Sequence, residues 1–120
     1  MQKICTVEHD SGFEVQLEFK QDKETKVILY EMNNFWIGAD ERLQDAKGCI
    51  YTTVSKLIAI EILRLQCWSG FYSNENIVID KFNEGIEGFY PIDGSVGIKL
   101  IYTDSVELER LDFDISAKDA

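Results

Sequence analysis

The chain has 120 residues, of which 45% are hydrophobic and 28% are charged, and its formal net charge is −10. This composition is close to the globular average, so it excludes a disordered chain, a collagen-like repeat and a bare coiled coil, and the length suits a single domain over residues 1–120. The acidity argues against direct binding of nucleic acid or of an anionic membrane surface, because both require a basic protein surface.

The first third of the chain predicts three strands. Residues 13–19 alternate apolar and polar side chains with period two, which is typical of a half-buried antiparallel strand. The turn signal Ser11-Gly12 before it predicts a pairing strand over residues 3–9. Residues 26–32 have apolar side chains at positions of both parities, and we interpret them as a third, more deeply buried strand.

The middle of the chain predicts two helices. Asp40 is a suitable N-cap for a short helix through Lys47, with Gly48 as its C-terminal stop. Residues 50–67 carry apolar side chains on nearly every side of a helix, which is typical of a buried main helix. An alternative interpretation begins this region with a strand over residues 50–54.

The last third predicts strands joined by a glycine-rich loop. Residues 77–79 are interpreted as a short apolar strand, and residues 83–95 as the loop. Residues 96–103 alternate with period two and predict a further strand. Residues 106–115 alternate in two different registers, which predicts a strand with a β-bulge at residues 109–110.

The predicted fold is therefore α+β. It is a single domain in which a twisted, mainly antiparallel sheet of five to six strands, in the order ββ-β-α-β-ββ, packs on one main helix near residues 50–67. Because that helix is apolar on almost all sides, its outer side must be covered by a loop, a second helix or a partner subunit.

Three cysteines and a single histidine carry no recognisable catalytic or metal-binding pattern. The odd number of cysteines argues against a disulfide framework, and the sequence has no closely spaced cysteine pair of the kind that marks a zinc site. His9 lies among acidic residues, but no nucleophile motif accompanies it. We expect no enzyme, no metal and no cofactor. We also expect a cytoplasmic protein, because neither a signal peptide nor a membrane span is visible.

The excess of acidic residues is concentrated towards the end of the chain. Residues 75–120 hold 11 acidic and 4 basic residues, whereas residues 1–74 hold 11 and 8. If Leu111, Phe113 and Ile115 face the core, carboxylates line the other side of the last strand, about 6.6 Å apart at every second residue. These carboxylates belong to Glu107, Glu109, Asp112 and Asp114.

The loop from Phe82 to Asp93 is a second candidate surface. It combines apolar side chains with carboxylates on a glycine-rich backbone, as a binding hot spot for a basic protein requires. The candidate contact residues in it are Glu84, Glu87, Phe89, Tyr90 and Asp93. A structural alternative remains open for each surface. In the first alternative, the carboxylate row serves only as a charged strand edge that blocks aggregation. In the second, the aromatic side chains of the loop fold under and cap the sheet.

These features lead to a functional hypothesis. A nuclease active site is basic because it holds phosphate, and an acidic surface can occupy it and associate rapidly through charge steering. We therefore expect a small acidic inhibitor that neutralises a basic enzyme in a stoichiometric complex, in its narrowest form an immunity protein or antitoxin against a bacterial nuclease toxin.

Two alternatives come from other classes of protein. The first is a small-molecule-binding domain with a pocket lined by Tyr30, Trp36 and Tyr102. The second is a homo-oligomeric structural subunit, joined through the apolar main helix and residues 35–37.

Overall fold

A computed structural model describes residues 2–9 and 12–105 of the chain. Their elements are β1 (Gln2–Glu8), β2 (Glu14–Lys20), α1 (Lys23–Phe35), α2 (Ala39–Asp45), α3 (Ile50–Trp68), α4 (Glu75–Glu84) and β3 (Ile98–Thr103). The predicted α+β class is confirmed. These residues form three strands and four helices, however, so the prediction of five to six strands on one main helix is wrong. The strand predicted over residues 106–115, with its bulge at residues 109–110, lies outside the described residues.

The sheet has the order β1-β2-β3 and is antiparallel. β1 and β2 pair from Gln2 with Lys20 to Glu8 with Glu14, which confirms the predicted hairpin. Apolar side chains of its second arm are buried on one face, as the alternation predicted: Phe13, Val15, Leu17 and Phe19. β3 lies within the predicted strand over residues 96–103.

β3 contains an irregularity that the sequence pattern did not reveal. Gln16 of β2 pairs with Tyr102, but the next residue, Leu17, pairs with Leu100. Ile101 is therefore an extra residue in β3, as in a β-bulge. The burial pattern changes parity at this point, because Ile101 and Tyr102 are both exposed.

α3 is the helix on which the other elements pack. It spans Ile50–Trp68, so the predicted main helix is confirmed and the alternative strand over residues 50–54 is wrong. One side of α3 faces the sheet, where the rings of Tyr51 and Phe19 meet edge to face with centroids 5.6 Å apart. Side chains with no exposed surface come from helices and sheet alike, and include Leu29, Val54, Ile58, Ile62, Val78 and Ile98.

α1 replaces the strand predicted over residues 26–32. Its buried positions are Thr25, Leu29, Met32 and Asn33. They follow the three- and four-residue spacing of a helix, not the alternation of a strand. The helix begins after Asp22, whose carboxylate accepts the backbone N–H of Thr25 at 2.8 Å. Two of the four inward-facing residues are polar, so hydrophobicity alone does not show the stripe.

α4 likewise replaces a predicted strand, over residues 77–79. It spans Glu75–Glu84 and begins after Asn74, whose side chain accepts a first-turn backbone N–H at 3.1 Å. Val78 and Phe82 are buried one helical turn apart and attach the helix to the core. Of the short apolar run that suggested a strand, only Val78 is buried, and Ile77 and Ile79 flank it half-buried on the helix.

The remaining helix, α2, spans Ala39–Asp45, so the prediction of a short helix here is confirmed. The predicted N-cap is wrong, because Gly38 precedes the helix and Asp40 lies within its first turn, and the helix ends two residues before Lys47. Within the described ranges, no helix is both long enough and apolar enough to cross a membrane. This holds for α3 too, since charged residues such as Lys56 and Glu61 interrupt its apolar sequence.

Gly97 lies against α1 at a position that leaves no room for a side chain. Its φ is +89°, and a Cβ atom there would come within 2.2 Å of the Thr25 hydroxyl oxygen. Gly94, three residues earlier, has a similar φ of +95°, but its nearest atom would be 3.9 Å away. Substitutions at the two glycines therefore distinguish backbone strain, which both positions share, from steric overlap, which of the two only Gly97 has.

We expect Gly97→Ala to lower the free energy of unfolding by about 3 kcal/mol or more, because left-handed strain and overpacking act together. Gly94→Ala, the matched control, carries the strain alone and should cost about 1 kcal/mol. Urea unfolding of the wild type and both variants measures the difference. Equal losses for the two variants would show that Gly97 does not pack against Thr25 as described.

Candidate protein-binding surface

The loop after α4 carries the predicted binding residues that the structure describes. The prediction of a loop over residues 83–95 is confirmed, except that its first two residues end α4. The loop then runs beside β3. The Leu100 N–H donates to the carbonyl of Ile92 at 2.9 Å, and the Gly94 N–H donates to that of Ile98 at 2.8 Å. These bonds fix the loop along the edge of the sheet.

Aromatic rings join this loop to the end of α1. Phe89 packs on Phe82 with ring centroids 5.5 Å apart, and its centroid lies 5.9 Å from that of Trp36. Trp36 in turn meets Phe35 at 4.8 Å. Gly88 allows this approach. Its φ is +86°, and a Cβ atom there would come within 2.6 Å of the rings of both Phe35 and Trp36. Phe89 therefore holds the loop down, in the manner of the capping alternative.

Tyr90 is also turned towards the protein. Its hydroxyl group donates a hydrogen bond to a carboxylate oxygen of Glu31 on α1. That bond raises the pKa of Tyr90 above the ordinary value of a tyrosine. The two predicted aromatic anchors, Phe89 and Tyr90, thus secure the loop and are half-buried.

The predicted carboxylates of the loop are exposed. Glu84 lies 3.6 Å from the ammonium group of Lys81, a surface ion pair that contributes little to stability. Asp93 accepts the backbone N–H of Ser95 at 2.9 Å, and hydrogen bonding by Ser95 lowers the pKa of Asp93. Glu87 lies in the turn before Gly88. All three carboxylates are therefore available to a partner.

The remaining predicted binding residues lie beyond residue 105, outside the described part of the chain. They are Glu107, Glu109, Asp112 and Asp114. Their role in binding stays a prediction.

The turn between α1 and α2 contains residues 35–37, which the sequence pattern singled out for a contact between subunits and not for an inhibitor surface, and Arg42 fixes this turn. The guanidinium Nε donates to Asn33 Oδ1 at 2.9 Å, and Nη2 donates to the Asn33 carbonyl at 2.7 Å. The same group donates to the carbonyl oxygens of Trp36 at 3.0 Å and Ile37 at 2.6 Å. Asn33 is buried, and its amide donates to the Ala39 carbonyl at 3.1 Å. One arginine thus satisfies the carbonyl groups that end α1 and holds the turn rigid.

Ile37 stands in this fixed turn with its side chain 100% exposed. Beside it, Phe35 is 50% exposed and Trp36 is 36% exposed. Four exposed acidic residues lie within four residues of Phe35 or Ile37 in the chain, or next to Gly88, which approaches the Phe35 and Trp36 rings: Glu31, Asp40, Glu41 and Glu87. We call Phe35, Trp36 and Ile37, together with these four carboxylates, the aromatic corner.

The aromatic corner has the properties of a binding hot spot. Exposing Ile37 on a rigid turn does not stabilise the fold, since the side chain buries no surface there. An apolar side chain on a backbone that Arg42 preorganises, with carboxylates close to it in the chain, suits a partner with an apolar pocket and a basic rim. Preorganisation also removes the entropic cost of ordering the turn on binding.

Two of the open clefts among the described residues are poorly suited to a small molecule, because one is small and the other is polar. A cleft of about 270 Å³ lies between α3 and α4, where Trp68 and Ile86 face the charged residues Glu61 and Arg64. Another of about 370 Å³ has a polar lining: Gln2, Lys20, Gln21 and Asp22. Binding pockets are mostly apolar and enclose about 300–1,000 Å³.

The residues predicted to line a pocket make separate contacts. Trp36 packs in the aromatic corner, the Tyr102 hydroxyl donates to the carboxylate of Asp104, and Tyr30 is exposed on α1. In the part of the chain that the structure describes, no group of three His, Cys, Asp or Glu side chains is placed to hold a metal ion. The three cysteines are free thiols.

A family model described as "Protein of unknown function (DUF2528)" matches residues 14–115. The chain belongs to the DUF2528 family. The match includes every element from β2 to β3, and hence both the end of α1 and the loop that packs on it.

Two relatives, one from a bacterium and one from a phage, resemble this DUF2528 chain in sequence. They are the lambda prophage-derived protein ea10 of Escherichia coli O6:H1 strain CFT073 and protein ea10 of Escherichia phage lambda. Each is 27% identical over 105 residues, which cover 86% of this chain and 85% of the relative. No solved structure matches the chain.

The arginine that fixes the aromatic corner gives a prediction. Arg42→Lys keeps the charge, but an ammonium group cannot reach all four acceptors, so we expect the free energy of unfolding to fall by about 2 kcal/mol. Arg64→Lys is the matched control, since that side chain is 71% exposed and its hydrogen bonds within the described residues go to one buried carboxylate, that of Glu61 on its own helix. A lysine ammonium group still reaches this single carboxylate, so the control should cost less than Arg42→Lys, about 1 kcal/mol. Urea unfolding that ranks the two substitutions in the opposite order would contradict the role given to Arg42.

Proposed function

We propose that this DUF2528 protein is a small acidic inhibitor that binds a basic enzyme in a stoichiometric complex. Its contact surface consists of the aromatic corner and the acidic loop over residues 84–93. One observation carries the proposal: Ile37 is fully exposed in a turn that Arg42 and Asn33 hold rigid. The apolar anchor supplies affinity, and the surrounding carboxylates supply orientation and rapid association.

The chemistry of this surface defines the partner. The partner needs an apolar pocket for Ile37 and lysine or arginine side chains around it. A nuclease has a basic surface because its substrate is a polyanion, and an acidic protein that covers this surface excludes the substrate. Two relatives are a phage protein and a prophage-derived protein, and phage DNA is a substrate for bacterial nucleases. This supports a bacterial nuclease as the target. If that nuclease is a toxin, this protein is its immunity protein or antitoxin.

A capture experiment tests the contact surface. Tagged protein is incubated with bacterial lysate at low and at high salt, and the bound proteins are identified by mass spectrometry. We expect one basic protein in equimolar amount, bound more strongly at low salt. Ile37→Ser should weaken binding by about 2 kcal/mol, or about thirtyfold, because it truncates the anchor. The matched control is Val27→Ser, at a residue of α1 that is 50% exposed outside the corner, and it should bind like the wild type.

Inhibition is then measured directly. The captured enzyme is purified and assayed with one molar equivalent of the wild type, of Ile37→Ser and of Val27→Ser. We expect the wild type and Val27→Ser to abolish activity. Equal capture of the enzyme by Ile37→Ser, or full enzyme activity in a saturated complex, would disprove the proposal.

The carboxylate row beyond residue 105 gives a separate prediction. A single variant changes all four residues to lysine: Glu107, Glu109, Asp112 and Asp114. We expect its association with the captured enzyme to slow by at least about tenfold and to depend less on salt, because steering by these charges is reversed. Association rates at two ionic strengths measure both effects. Rates equal to those of the wild type would show that the row does not steer the association.

A further inference from the structure

β1 is an edge strand with no strand paired to its outer side among residues 2–9 and 12–105. The His9 N–H donates to the carbonyl of Phe13 at 2.8 Å, so the odd-numbered positions of this ladder are the hydrogen-bonded pairs with β2. The N–H and C=O groups of the even-numbered residues therefore point away from the sheet. These residues are Gln2, Ile4, Thr6 and Glu8. The strand has neither a proline nor a register shift, so its outer edge is suited to accept another strand.

A mainly apolar cleft of about 210 Å³ lies beside this edge, between the end of β1 and α3. Its apolar lining is Val7, Phe13, Ala59, Ile60 and Leu63. Ile60 is 63% exposed on α3, and Glu8 and Lys56 also line the cleft. The edge thus combines unpaired backbone groups with adjacent apolar surface, the two components of an interface formed by strand addition.

We propose that β1 pairs with β1 of a second copy of this chain around a two-fold axis, which joins the two sheets into one of six antiparallel strands. An axis perpendicular to the sheet keeps the helix-covered faces on the same side, so only residues of equal parity lie opposite each other. A register centred on Cys5 pairs all seven residues of the strand and forms four hydrogen-bonded residue pairs. A register shifted by two residues in either direction pairs two fewer residues and forms one fewer hydrogen-bonded residue pair.

The side chains of β1 suit this antiparallel arrangement. Ile4 is 62% exposed, and in the register centred on Cys5 it lies diagonal to Ile4 of the partner subunit, so the exposed apolar side chains of the two copies meet beside the axis. In the register centred on Cys5, Lys3 faces Val7 of the partner subunit and Glu8 faces Gln2 of the partner subunit. No like charges are opposed.

Cys5 lies on the two-fold axis and reports the register. Its pair with Cys5 of the partner subunit is not hydrogen-bonded, so the two Cα atoms are about 4.5 Å apart, within the range of a disulfide. Oxidation of the two thiols removes two protons and two electrons, which dissolved oxygen accepts. A covalent dimer therefore forms through Cys5 if the register is correct.

Thr6→Pro tests the edge without breaking the hairpin. The Thr6 N–H points away from β2, so a proline removes an outer donor and blocks the approach of another strand, but it leaves the β1–β2 hydrogen bonds in place. Thr6→Val keeps the N–H and is the matched control. Light scattering of the full-length proteins should give twice the 13.8 kDa chain mass for the wild type and Thr6→Val. It should give the single chain mass for Thr6→Pro, with an unchanged far-ultraviolet circular dichroism spectrum.

A cross-linking experiment tests the register. The Cys49→Ser, Cys67→Ser double variant keeps Cys5 alone, and copper-phenanthroline oxidation in air should convert it to a disulfide-linked dimer. The Cys5→Ser, Cys49→Ser double variant keeps Cys67, which is exposed on α3, and controls for random collision. It should stay largely uncoupled.

Three outcomes would overturn the proposal. A full-length wild type that is monomeric at high micromolar concentration would leave the edge to another occupant, such as a strand of a different protein. A dimer that survives Thr6→Pro would have its interface elsewhere. A dimer that Thr6→Pro dissociates, but that Cys5 does not cross-link, would have a different register. Ile37→Ser should leave the dimer intact, so this inference and the proposed function fail independently.

Discussion

Coverage of α3 is the constraint on which the rest of the structure depends. A helix of 19 residues that is apolar on nearly every side is stable in water only when other elements pack around it. The three strands of the described residues cover one side, while α1 and α2 also contact α3. The surface near Ile60, beside the outer edge of β1, stays uncovered among the described residues. A small sheet therefore needs several helices, and it still leaves one apolar edge.

This constraint separates the elements that sequence predicts from those that it does not. Periodicity is visible where apolar side chains carry it, as in β2 and α3. In α1, the inward positions include Thr25 and Asn33, so the stripe is half polar and the apolar run resembled a strand. The side chains of Asp22 and Asn74 cap α1 and α4, but the same residue types also favour turns between strands. Only the packing around α3 decides between the two.

The composition of the proposed binding surface was predictable, but its geometry was not. An acidic loop with aromatic residues is visible in the sequence, yet which aromatic side chains turn inward depends on residues far away in the chain. Phe89 and Tyr90 turn inward because α1 and the residue after it offer Trp36 and Glu31, more than fifty residues earlier in the chain. The role of Arg42 depends on four oxygen atoms that converge only when two helices have folded. No local pattern around an arginine indicates such a set of acceptors.

The two proposed surfaces lie near opposite edges of the sheet. The loop that carries part of the aromatic corner runs beside β3, whereas a second copy would join at β1. Pairing through β1 therefore leaves both corners uncovered, and the dimer presents two identical acidic surfaces. Against a target that is itself dimeric, the second contact becomes intramolecular, and the affinity exceeds that of one corner without any new contact. Against a monomeric target, two enzymes bind, and the ratio stays one enzyme per chain. Self-association at one edge is thus compatible with inhibition at the other, because the two surfaces share no residues.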